Sequence, residues 1–227
     1  MDVLKGFKMV FIALIINIIR YVCSSFIGNH NLYLTGISEI VNIFYIVLAI
    51  YGLGKIKDCS GYFEKTRKLY VIEMVGWSFL ALLLEFKLAS INHLENVPQS
   101  DKTELTIFLI ISLVYEIIMQ FLIQRGLLFG SSEYAEKLGA IETQAKNQEL
   151  YKKLLSVSIG LAVSISGLIG MFLLSSFVTS LFKIVVILAL FAFLIGVIGL
   201  DIAWTIISCL MIVRWYKNYK IIKELSN

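Results

Sequence analysis

Of the chain's 227 residues, 59% are hydrophobic and only 16% charged, with a mean hydropathy of +0.85. A soluble globular domain carries roughly 45–50% apolar and about 25% charged residues, so this composition excludes a water-soluble fold. The formal charge of +4 is small and sits in loops and chain ends, which excludes a nucleic-acid-binding surface, and a single proline among long Leu, Ile, Val and Phe runs excludes the alternating strands of an outer-membrane barrel.

Helices are the remaining way to cross a bilayer, because each backbone N–H and C=O must be satisfied within its own segment. A span needs about 20 mostly apolar residues. The predicted fold is all-α: a polytopic transmembrane helical bundle of six spans, forming one membrane domain over residues 1–227. The first span covers 9–28. Lys5 and Lys8 ahead of it resemble the basic start of a signal peptide, but Arg20 interrupts the apolar run and no small-residue cleavage site follows, so an uncleaved span is expected. The second and third cover 35–54 and 69–87, separated by a short basic loop. The fourth covers 105–123.

Residues 124–153 then form a cytoplasmic loop long enough for a helix of its own. Ser131 or Ser132 is placed to cap it, with Tyr134, Leu138, Ile141 and Ala145 along one face. The fifth and sixth spans cover 154–178 and 184–213. At 30 residues the sixth is about 45 Å long, so it must tilt, project beyond the membrane, or break near Gly196 or Gly199. The second and fourth spans both end in Gly-Leu, at Gly52-Leu53 and Gly126-Leu127, a faint sign of two tandem hairpins.

Basic residues near span ends are retained in the cytoplasm. With six spans, sixteen lysines and arginines fall on one side and three, Lys87, Lys102 and Lys183, on the other. Arg20, inside the first span, is the twentieth. Both termini are therefore expected in the cytoplasm, the protein being integral to the cell membrane. Cys23, Cys59 and Cys209 are too scattered for a disulfide framework and are read as free thiols.

Ionisable groups inside spans cost roughly 2.5–3.5 kcal/mol each at a helix centre, so each one invites a functional reading. Glu39, Glu73 and Glu85 lie near span ends, where interfacial water can solvate them. Arg20 is deeper and is expected to form a structural ion pair with Glu39 or Glu85. Glu116 and Asp201 fall near the middle of long apolar segments. Ser112, Glu116, Gln120 and Gln124 recur every four residues along one stripe of the fourth span, and Asp201, Thr205 and Ser208 form a similar stripe on the sixth. Facing each other, the stripes would make a polar seam, either simply holding helices together or supplying a proton- or ion-coupled site.

Small residues carry a packing message. Ser156, Gly160 and Ser164 on the fifth span, with Gly167 and Gly170 beyond, and Gly196 and Gly199 on the sixth, permit close backbone approach within the bundle or across an oligomer. No catalytic motif, metal-ligand cluster or cofactor fingerprint appears, and His30 and His93 read as external surface histidines. The leading expectation is a non-enzymatic membrane component or complex subunit. The alternative is a small secondary transporter or proton- or ion-coupled carrier using Glu116 and Asp201. The expected partners are the lipid bilayer and other membrane subunits or further copies of the chain, with no nucleic acid.

Overall fold

A computed structural model describes residues 2–27, 32–90, 99–140, 142–175 and 180–225, while the side chains of 24–39 and 84–90, among others, lie outside that description. Among the described residues six α-helices follow one another: α1 (Asp2–Ile27), α2 (Leu32–Ile56), α3 (Gly61–Ser90), α4 (Gln99–Lys137), α5 (Glu142–Ser175) and α6 (Ser180–Leu225), with a 3-10 turn at Lys57–Cys59 between α2 and α3. No strand occurs among the described residues.

Among the described residues, four stretches are long and apolar enough to cross a membrane: Ile40–Cys59, Ile110–Lys137, Thr143–Met171 and Ile184–Leu225. Their outer faces carry large apolar side chains in the open, such as Ile195 at 68% exposure and Val163 at 62%. Water would penalise so wide an apolar surface by about 25 cal/mol for each Å². Hydrocarbon does not, and the chain is a helical membrane protein on this count.

Dense packing is concentrated at the lysine- and arginine-rich end. Phe7 of α1, Phe63 of α3 and Trp215 of α6 meet there with ring centroids 5.1 to 5.9 Å apart, and Tyr134 of α4 stacks on Phe7 at 5.9 Å. The Trp215 indole N–H donates to the Phe7 carbonyl at 3.1 Å, satisfying the one polar atom that the buried ring carries. Four helices are thereby tied around one aromatic centre. Close backbone approach completes it: a β-carbon on Gly6 would lie 2.8 Å from the Gly52 carbonyl oxygen, so α1 and α2 touch main chain to main chain. The two Gly-Leu pairs play parallel parts, since Gly52 faces α1, Gly126 faces Thr66 of α3, and Leu53 and Leu127 are both fully buried.

The segment 124–153 is helical but not as an independent helix. It is the end of α4 and the start of α5, joined through Gly139 at φ +91°. The Ala140 N–H bonds back to Ala135 and the Gly139 N–H to Glu136, a six-residue closure that glycine permits and a side chain would strain. Ser131 and Ser132 therefore sit inside α4 rather than capping a new helix. Ser131 accepts from the Asn218 amide at 2.9 Å and Ser132 from the Asn147 amide at 2.6 Å, binding α4 to α6 and α5. Tyr134 and Leu138 pack on the core, Ala145 is exposed, and Ile141 lies outside the described residues.

α6 is continuous over 46 residues, about 69 Å of helix, so it extends well past one bilayer thickness and is not interrupted at Gly196 or Gly199. Against α5 it makes a close seam. A β-carbon on Gly160 would meet Leu200 at 3.2 Å, one on Gly167 would collide with the Phe193 ring, and Gly196 faces Ser164. Gly170 and Gly199 have nothing within 4 Å, and Ser156 is exposed, so these three are not part of it. Cys23, Cys59 and Cys209 are free thiols.

Candidate functional site

Between α1, α3, α4, α5 and α6 lies a cavity of about 220 Å³. Its polar lining comes from Asn17 and Arg20 on α1, Glu116, Gln120 and Gln124 on α4, and Asp201, Thr205 and Ser208 on α6. The apolar walls include Leu161 and Ile165 of α5 with Trp204 and Met211 of α6. Its volume and polarity suit several waters or one small solute, whereas a purely apolar void would stay dry.

The geometry follows from helix periodicity. Glu116, Gln120 and Gln124 stand one turn apart, as do Asp201, Thr205 and Ser208 within seven residues, so each helix presents one polar ridge. The two ridges meet at their basic-end limit, where the Gln124 amide donates to the Ser208 hydroxyl at 3.1 Å. Glu116, Gln120, Asp201 and Thr205 line the cavity with them. Thr205 turns its hydroxyl back to the Asp201 carbonyl at 3.0 Å, a bond within its own helix. Ser112 bonds the Phe108 carbonyl at 3.0 Å in the same way and does not line the cavity, so the α4 stripe contributes three residues, not four.

A second polar cluster adjoins the first and was not legible as a site. Glu73 of α3 is only 2% exposed. The Gln120 amide donates to its Oε1 at 2.6 Å and the Tyr45 hydroxyl at 3.3 Å, while Gln120 also reaches the Tyr45 oxygen at 3.4 Å. The other carboxyl oxygen is buried without a hydrogen-bond partner among the described residues. The reading of Glu73 as solvated near a span end is thus corrected: α3 begins at Gly61, three turns ahead, and turns Phe63, Thr66, Tyr70 and Glu73 inward along one face. That spacing of three and four residues was the available signal. Gln120 belongs to both groups and links the buried carboxyl to the cavity.

Arg20 also lines the cavity, beside the same Tyr45. Its guanidinium is 5.8 Å from the Tyr45 ring centre, it donates to the Asn17 side-chain oxygen at 3.4 Å, and its Nε is buried without a partner among the described residues. The side chains of Glu39 and Glu85, expected as its ion-pair partners, lie outside the described residues, as do His30 and His93. No cluster of three metal-ligating side chains occurs among the described residues. No family model, no curated protein and no solved structure matches the chain.

Proposed function

We propose that the chain spans the cell membrane six times with both termini in the cytoplasm, and that the cavity is the binding site of a small proton- or cation-coupled carrier. The observation that carries this reading is that Glu116 and Asp201, from two different helices, line one polar cavity in the apolar part of the bundle. Two carboxyl side chains with the Gln120 and Gln124 amides beside them supply oxygen ligands of the kind that a proton or cation path through a bilayer uses. The sixteen-to-three distribution of basic residues supports the orientation. No catalytic step is assigned to the site.

A packing-only membrane component is the second reading, favoured by one contact. The Gln124–Ser208 bond ties α4 to α6, as polar pairs in membrane bundles do at about 0.6 kcal/mol each. The two readings separate in proteoliposomes holding a trapped pH dye. With an imposed cation or solute gradient, the parent protein should acidify or alkalinise the lumen, and Glu116→Gln with Asp201→Asn should abolish that flux while helix content and detergent monodispersity stay unchanged. Equal flux from the folded double variant, or none from the parent above empty liposomes, overturns the carrier reading and leaves the packing one.

A further inference from the structure

On the outside of the bundle, where α3, α4 and α5 leave the apolar zone at the basic end, aromatic and cationic side chains interleave. The Arg125 guanidinium lies 5.8 Å from the ring centres of both Phe129 and Tyr151, whose rings are 5.0 Å apart. Tyr62 stacks on the other side of Phe129 at 5.6 Å, with the Lys65 ammonium 6.0 Å above its ring. Three helices thus supply one continuous surface. Its floor is fixed, because Gly126 and Gly130 bring α4 against Thr66 and Phe63 of α3.

Two features define what this surface can hold. First, its charge is uncompensated: among the described residues neither Lys65 nor Arg125 takes part in a salt bridge, whereas the neighbouring acids Glu64 and Glu149 are each engaged by the lysine four positions on. A guanidinium held over two aromatic rings presents its N–H donors to a planar or tetrahedral oxyanion. Second, the face of α4 that exposes Arg125 is apolar below it. Val114, Ile118 and Arg125 follow at four and seven residues, and the first two are exposed. A soluble anion or an acidic peptide would have no use for that stripe.

We infer that this surface is a binding site for an anionic phospholipid, its phosphate held by Arg125 and Lys65 and its acyl chains lying along Val114 and Ile118. Basic pockets flanked by interfacial aromatics suit such headgroups on electrostatic grounds. The inference needs only that the bundle is embedded in lipid. It does not depend on the carrier reading, so flux measurements and lipid measurements fail separately.

The test is competitive lipid retention, read by native mass spectrometry of the full chain released from nanodiscs containing phosphatidylglycerol and phosphatidylcholine. The parent should retain phosphatidylglycerol preferentially. Arg125→Gln and Lys65→Gln should each weaken that preference roughly fivefold, the strength of one basic side chain at an anionic surface. Arg125→Lys should lose part of it, since charge remains but the forked guanidinium donors do not, and Lys223→Gln, at the far end of α6, should lose none. All three positions are on the surface, and matching circular dichroism shows that the fold is kept. Equal retention of the two lipids by the parent, an undiminished preference in Arg125→Gln and Lys65→Gln, or release of the lipid by inorganic phosphate alone would overturn the inference.

Discussion

Replacing Gly6 by alanine adds one methyl group at the tightest contact between α1 and α2. The new β-carbon would stand 2.6 Å from the Ile56 methyl and 2.8 Å from the Gly52 carbonyl oxygen, against an ordinary contact of 3.4 Å or more. Ile56 could rotate away, but a helix carbonyl cannot, so the two helices must separate. Phe7, Val10 and Ala13 are fully buried along the same face of α1 and would lose contacts with α2. Overpacking of this kind costs about 1–3 kcal/mol. Alanine returns up to about 1 kcal/mol of helix propensity over glycine, leaving a net destabilisation on the order of 1 kcal/mol. Gly170→Ala and Gly199→Ala provide the contrast, because nothing lies within 4 Å of either β-carbon and only the propensity gain remains. Thermal unfolding in one detergent should place Gly6→Ala below the parent and the other two level with it or above. Were all three to shift alike, the α1–α2 backbone contact would be refuted.

Other perturbations probe the basic end. Arg214 donates to the Asn147 side-chain oxygen at 2.6 Å and the Thr143 carbonyl at 3.0 Å, so Arg214→Met should cost about 2–3 kcal/mol, measured as a lower unfolding midpoint. At Gly139 the left-handed backbone disfavours any β-carbon, and Gly139→Ala should destabilise by about 1 kcal/mol in the same assay. The Ser60 hydroxyl, donating at 2.6 Å, and then Lys137 hold the Glu133 carboxyl below its ordinary range. A depressed folded-state pKa contributes stability that is complete above the unfolded value of about 4.3 and is lost as pH falls through the folded one. Unfolding curves in acid should accordingly show the difference between Ser60→Ala and the parent narrowing as the pH falls through the depressed folded-state value; a difference constant with pH would exclude this linkage.

Hydropathy made the apolar helices legible because the rule behind it is local: a backbone in lipid must bond within its own segment. Helix ends were less so. The stretch 124–153 reads as a loop by hydropathy, yet α4 and α5 run through it, since charged residues do not stop a helix whose inner face, Leu127, Ser131 and Asn147, is buried. The ridges on α4 and α6 were visible as four-residue spacings, and Gln124 and Ser208 do meet. Glu73 was missed because hydropathy measures distance to the edge of an apolar run, not to the bundle axis. Its partners Tyr45 and Gln120 are 28 and 47 residues away in the chain, and only tertiary packing brings them together.

Water accessibility measured residue by residue bears most directly on the whole account. With Cys23, Cys59 and Cys209 replaced by serine, single cysteines at Val163, on the outer surface, and Thr205, on the cavity wall, are exposed to a charged, membrane-impermeant thiol reagent in proteoliposomes. A lipid-clad exterior and a wet interior predict rapid labelling at position 205 and almost none at 163, the reverse of their bare surface exposure. Faster labelling at 163 than at 205 would contradict it.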